Sequence, residues 1–208
     1  MDKKAFAQDL IQFIDNSPTA FHAVEEMVKR LEKAGFKRLD ETKKWKLQKG
    51  KGYFTTRNDS AIIAFIMGDK GEGYRIIGSH SDSPTFKIKP NPEIKVEKHY
   101  VTLNTEKYGG AILSTWLDRP LSVAGRVMLK SKNPMNPTTK LVKVDKDLLV
   151  IPNVAIHMNR EVNEGMKFNA QVDTLPLMTM GIGENAQHDM LKDVVAKSAG
   201  VKKEDIMG

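Results

Sequence analysis

His80 and Asp82 stand one residue apart in Gly78-Ser79-His80-Ser81-Asp82-Ser83-Pro84. An imidazole next to a carboxylate can act as a metal ligand and the group that orients it. The same residue types also populate ordinary polar turns, and spacing alone leaves both readings open. The preceding Tyr74–Ile77, flanked by Gly73 and Gly78, has the aromatic and β-branched character of a buried strand. Catalytic groups in α/β proteins collect where strands end, so the sequence predicts a strand that delivers His80 to a site.

Other candidates are few. The chain has no cysteine and five histidines, His22, His80, His99, His157 and His188. Disulfides, thiolate zinc sites and a cysteine nucleophile are thereby excluded. A transition-metal site must be built from His, Asp and Glu. His157, in Ile156-His157-Met158-Asn159-Arg160 after the apolar run Val150–Ile156, reads either as a substrate contact or as a capped strand end. Asp118 and Arg119 read either as functional residues or, in preference, as a structural turn or ion pair beside a buried Trp116. No Gly-x-Ser-x-Gly elbow, Walker loop or dinucleotide fingerprint is present.

The elements that must position these residues can be read in order. Residues 3–15 form an amphipathic pattern with Phe6, Leu10, Ile11, Phe13 and Ile14 near one face. A second helix is predicted with Ser17 as N-cap, Pro18 at its first position and Gly35 as its terminator. His22 falls off its apolar stripe and reads as partly exposed and structural. Residues 52–57 and 60–67 predict a hairpin across Asn58-Asp59. The continuous apolar run Ala61–Ile66 predicts a strand covered on both faces. Pro90-Asn91-Pro92 suggests a domain boundary, giving 1–92 and 93–208. Beyond it, 96–103, 121–129, 141–144 and 148–151 read as strands of a β-rich unit, barrel- or sandwich-like. Residues 133–137 read as a hairpin loop, and 185–199 as a helix stopped by Gly200, with His188 at its surface.

Composition is that of a soluble globular protein, 40% hydrophobic and 28% charged over 208 residues. No apolar run approaches a membrane span, and Met1–Phe6 lacks the apolar core of a signal peptide, so a cytoplasmic protein is expected. Thirty-three basic against 26 acidic residues leave a net charge of +7. The lysines concentrate at 43–51 and 87–98, without the interleaved aromatics that single-strand nucleic-acid binders use for stacking. Solvated lysines guarding sheet edges are therefore preferred over a nucleic-acid partner.

Four stretches occur together in order: Ser17-Pro18-Thr19-Ala20-Phe21-His22, Gly78 to Pro84, Tyr108-Gly109-Gly110 through Ser114 to Leu121 with Ala124-Gly125-Arg126-Val127, and Ile156 to Arg160. Together they resemble the M18 family of zinc metallo-aminopeptidases, the aspartyl aminopeptidase and aminopeptidase I group. The resemblance runs from about residue 10 to residue 208. It implies an α/β fold: an incomplete α/β/α zinc-peptidase catalytic domain followed by a β-rich dimerisation domain. It implies a two-zinc exopeptidase acting on peptide N-termini, with His80 as a zinc ligand and Asp82 orienting it. It further implies that His157 reaches a neighbouring subunit's active site and that subunits pair and assemble into a dodecamer. Family members are longer and supply the bridging Asp, the general-base Glu and further ligands after the β-rich insert. On this reading the 208 residues correspond to an N-terminal portion and are inactive alone. A non-enzymatic assembly or regulatory module is the alternative.

Overall fold

A computed structural model describes residues 2–69, 73–133, 135, 137–180 and 189–208. The chain divides into two compact units, Met1–Ser83 and Pro84–Gly208.

In the first unit, α1 (Lys3–Asn16) and α2 (Ala20–Lys33) precede β1 (Lys37–Arg38), β2 (Gly52–Arg57) and β3 (Ala61–Ile66). The strands form one sheet in the order β1-β2-β3, with β1 parallel and β3 antiparallel to β2. The hairpin turn falls at Asn58 and Asp59, which take φ of 52° and 51°, a left-handed pair that Asn and Asp tolerate. The cap of α2 is Thr19 rather than Ser17: its side chain accepts the His22 amide. Pro18 therefore lies before the helix, in the linker that follows α1. Gly35 ends α2 at φ 84° as expected, and the Phe36 amide closes back on the Leu31 carbonyl. His22 is buried, not partly exposed, because its Nδ1 lies 2.8 Å from Thr19 Oγ1 and so has a polar partner inside.

The core of this unit is small: Ala23 and Val24 from α2, and Tyr53 and Phe54 from β2. A Cβ at Gly52 would come within 2.7 Å of the Phe36 ring, closer than carbon atoms can pack. Gly52→Ala is accordingly expected to destabilise the protein by about 1–3 kcal/mol, the usual cost of overpacking. Thermal unfolding checks this, and in a Phe36→Ala background most of the difference should vanish.

Two expectations for this unit are corrected. β3 is not covered on both faces: Ile63 and Ile66 are largely exposed. Nor is Tyr74–Ile77 a buried strand; these residues belong to no strand or ladder, and Tyr74, Ile76 and Ile77 stand in solvent. Both have strand-forming composition, but a strand is buried only where a partner strand and a covering layer exist. The apolar face of α1 is likewise open. Phe6, Leu10, Ile11 and Ile14 are exposed, while Phe13 packs under the Arg30 guanidinium at 5.2 Å.

The second unit holds β4 (Thr85–Val96), β5 (Tyr100–Tyr108), β6 (Ala124–Leu129), β7 (Thr138–Lys143), β8 (Leu177–Met180) and α3 (Met190–Ala199). One antiparallel sheet has the order β4-β5-β8, and β6 pairs antiparallel with β7. Pro90-Asn91-Pro92 does not separate the two units, since it lies inside β4. β4 is an edge strand, and its register with β5 shifts between Ile88 and Glu93, so the prolines sit where no ladder amide is needed. The division between units falls instead between Ser83 and Pro84. β5 buries alternate residues, Val101, Leu103 and Thr105, as a strand with one face on a core should. Leu103, Val123, Val142, Val144, Leu149, Leu191 and Ala199 form that core. Residues 148–151 contribute isolated bridges rather than a strand. The last residues add along β6, with Met128 N donating to Gly208 O and Met207 N to Met128 O. Part of the expected 133–137 loop, and the expected helix start at 185–188 with His188, lie outside the described residues.

Glu93 ties the sheet to α3. Its two carboxylate oxygens accept the amides of Asp189 (3.0 Å) and Leu191 (2.8 Å) at the helix start. An acidic group there satisfies free N–H donors and complements the helix dipole. Glu93→Ala should cost about 1 kcal/mol, the size of a lost N-cap. Urea unfolding, together with faster amide exchange in α3, is the measurement that checks it.

Candidate functional site

The loop that follows Tyr74–Ile77 is held where Ser81 Oγ donates to the Ser60 carbonyl at 2.8 Å, beside the β2–β3 turn. On either side of this anchor, His80 and Asp82 come together. His80 Nδ1 lies 2.7 Å from the Asp82 main-chain carbonyl and 3.2 Å from Asp82 Oδ1. A carbonyl oxygen can only accept, so the hydrogen-bond geometry assigns the Nδ1 proton to this contact. In the neutral imidazole Nε2 then keeps its lone pair, on a side chain that is 80% exposed. That is the form of histidine that ligates a metal, with its other nitrogen fixed by an oxygen acceptor. The Asp82 carbonyl and the Ser81 anchor carry no signal in composition or spacing; they depend on how the loop turns.

One imidazole does not hold zinc, which takes three or four protein ligands. Among the described residues no group of three or more His, Asp and Glu side chains could hold a metal ion. The donors present fit one corner of a zinc site and not a whole one.

His157 lies in the second unit, in a turn where the Met158 amide donates to the Ala155 carbonyl and the Asn159 amide to that of Ile156. Its side chain is exposed and, among the described residues, its ring has no hydrogen bond or ion pair. Asp118 is a turn residue with φ 56°, and its Oδ1 accepts the Asn153 amide at 2.9 Å. Arg119 reaches the Thr115 carbonyl at 3.5 Å. Trp116 is half-buried, edge-on to Phe86 at 5.1 Å.

Two open concavities carry no catalytic arrangement. One of about 440 Å³ in the second unit is lined by Asp118, Arg119, Pro120 and the segments 147–150 and 177–180, with no histidine. The other, in the first unit, includes Arg38, Asp40 and Glu41. Asp40 is held below its ordinary value, at about 2, first by the Thr42 hydroxyl and amide and then by Lys43. Such a carboxylate shapes its turn and is a poor proton donor or acceptor near neutrality. The clustered lysines are partly neutralised: Lys43 pairs with Asp40, Lys49 with Asp69 and Lys87 with Glu106. No helix among the described residues is long and apolar enough to cross a membrane.

Comparison with known proteins places the chain in a family. The profile described as "Aminopeptidase I zinc metalloprotease (M18)" matches residues 13–208. The chain is 51% identical over 209 aligned positions to a "Probable M18 family aminopeptidase 2" of Clostridium novyi, covering 99% of this chain and 48% of that protein. Among solved structures it is similar to one described as the "Cryo-EM structure of the Ape4 and Nbr1 complex", with TM-score 0.90 and 34% identity over 99% of this chain and 43% of the other. A structure of the S. cerevisiae mApe1 dodecamer matches with TM-score 0.74 and 27% identity, over 97% and 46%. The chain thus spans about half the length of the curated relatives it matches. With the match covering nearly all of its residues, the chain belongs to the M18 family of aminopeptidase I zinc metalloproteases.

Proposed function

We propose that these 208 residues are the N-terminal portion of a zinc aminopeptidase that removes residues from peptide N-termini. The observation that carries the site assignment is the His80–Asp82 pair. Nδ1 is committed to Asp82 and Nε2 is open, as a zinc ligand requires. In this reading His80 is one ligand and Asp82 orients it. The remaining ligands and the general base come from the half of the M18 relatives outside the match. Zinc, when bound, supplies Lewis acidity and an activated water. Two ions per complete site are part of the proposal.

The first unit is read as the beginning of the α/β/α catalytic domain and the second as a β-rich dimerisation domain. His157, on an exposed turn, is read as the residue that enters a neighbouring subunit's site. A homo-oligomer built from dimers is supported by the dodecamer of the related mApe1. A cytoplasmic location belongs to the same reading.

The test joins the 208 residues to the remaining half of the Clostridium novyi relative and assays zinc-loaded protein on aminoacyl-nitroanilides. The joined protein should release nitroaniline, and the 208-residue chain alone should not. A folded, zinc-bound joined protein without turnover would overturn the aminopeptidase reading. Turnover by the chain alone would overturn the placement of base and ligands elsewhere.

A further inference from the structure

His80 is carried on a loop, and a loop positions a ligand only as well as its own path is fixed. Of residues 78–83, Ser81 and Asp82 are half-buried and the others are exposed. His80 Nδ1 meets the Asp82 carbonyl at 2.7 Å, which closes a ring that includes the Ser81 backbone. Rotation about the bonds of that ring would swing the carbonyl away from the imidazole. The Ser81 hydroxyl donates to the Ser60 carbonyl at 2.8 Å. The residue enclosed by the His80 contact is thus also bonded to the β2–β3 hairpin.

The acceptor has its own support. Ser60 follows Asn58 and Asp59, the left-handed pair of the β2–β3 turn, and its amide donates to the Arg57 carbonyl at 3.2 Å. Thr56 Oγ1 donates to Asp59 Oδ1 at 3.3 Å. Arg38 Nη2 donates to Thr56 Oγ1 at 2.7 Å and lies 3.6 Å from Asp59 Oδ1. β1, β2 and the turn are therefore tied together immediately before Ser60. Arg38 and Asp59 are more than half exposed, so their pairing adds little to stability.

We propose that Ser81 is a positioning residue for His80, with the β2–β3 turn as its support. Its hydroxyl holds the loop in the path that sets the Asp82 carbonyl against His80 Nδ1. Through that contact it keeps the proton on Nδ1 and the Nε2 lone pair free for a metal. The inference rests on the reading of His80 as a zinc ligand. It gives a role to a hydroxyl and a hairpin that carry no metal-binding chemistry themselves.

The first readout needs no metal. Nitrogen NMR of the metal-free 208-residue chain, with its histidines labelled, reports the tautomer of each ring at a pH where all are neutral. The signal lost in His80→Ala identifies His80. Its Nδ1-protonated form should predominate in the native chain. Ser81→Ala should lower that predominance by about threefold or more, as the loss of a contact of hydrogen-bond strength allows. Ser81→Thr keeps the hydroxyl and should restore it. Asp59→Gly removes the Thr56 and Arg38 contacts without straining the positive φ, and should act in the direction of Ser81→Ala. The unfolding midpoint of Ser81→Ala should fall by no more than about 4 °C, the size of one net hydrogen bond in a chain of this length.

The second readout is zinc titration of the 208 residues joined to the remaining half of the Clostridium novyi relative. Ser81→Ala should weaken binding about tenfold, the low end for losing a group that orients a metal ligand. Saturating zinc should recover its turnover. An unchanged tautomer ratio in Ser81→Ala, or one that Ser81→Thr does not restore, would overturn the role of the hydroxyl. An unchanged ratio in Asp59→Gly would overturn the part given to the turn. A loss of zinc as large as that of His80→Ala would make Ser81 a ligand and overturn the positioning role. So would a loss of turnover that saturating zinc does not recover. The expected tautomer and zinc changes in a joined protein without turnover would leave the positioning role standing and remove the aminopeptidase reading, so the two fail separately.

Discussion

Replacing His80 by alanine, in the 208 residues joined to the rest of the Clostridium novyi relative, should reduce bound zinc and turnover by well over 100-fold. The bound is set by comparison with its neighbour. Losing a group that only orients a metal ligand typically costs 10–100-fold in affinity or activity, and losing the ligand must cost more. Asp82→Asn should fall at the low end, about tenfold. The reason is geometric: the nearer acceptor for His80 Nδ1 is the Asp82 main-chain carbonyl at 2.7 Å, which the substitution leaves in place, and the carboxylate lies farther at 3.2 Å. Folding should be unaffected, because an exposed side chain away from packing contributes within about 0.5 kcal/mol. Zinc by mass spectrometry of the native protein, kcat/KM and thermal unfolding separate the three effects. Full activity in His80→Ala would remove His80 as a ligand. An Asp82→Asn loss equal to that of His80→Ala would show that the carboxylate does more than hold the ring.

The largest stability effect is expected at Leu103. It is fully buried in the core of the second unit, on β5 opposite Glu93 of β4. Leu103→Ala removes its side-chain contacts and leaves a cavity, at a cost of about 2–5 kcal/mol. The urea midpoint of the second unit should fall accordingly, with faster exchange in β5 and α3. Because Glu93 caps α3 from the position paired with Leu103, the Leu103→Ala/Glu93→Ala pair should deviate from additivity. Met207→Ala, at an exposed position, serves as the control and should change stability by no more than about 0.5 kcal/mol. A Leu103→Ala loss no larger than this control would mean that the cluster is not the unit's core.

Much of the fold was legible where the local signal and the final environment agree. Asn58-Asp59 dictated a hairpin turn because few other residues accept two left-handed conformations in succession. Gly35 and Gly200 stopped their helices for the same steric reason. The four ordered motifs were enough to point to the family that the comparisons then showed. Where a reading failed, a particular contact or strand pairing decided. Thr19 displaced Ser17 as the cap through its contacts with the His22 amide and ring. Pro90 and Pro92 broke no domain because β4 is an edge strand whose register slips around them.

The candidate site divides in the same way. The sequence by itself placed an imidazole and a carboxylate one residue apart and tied them to a zinc peptidase family. Only the tertiary structure decided which ring nitrogen is committed and which is open, because that depends on the path of the Asp82 carbonyl and the hold of Ser81 on Ser60. It also reversed the reading of Tyr74–Ile77. Composition makes a segment able to form a strand, but burial is a property of the neighbours that cover it, and among the described residues these have none.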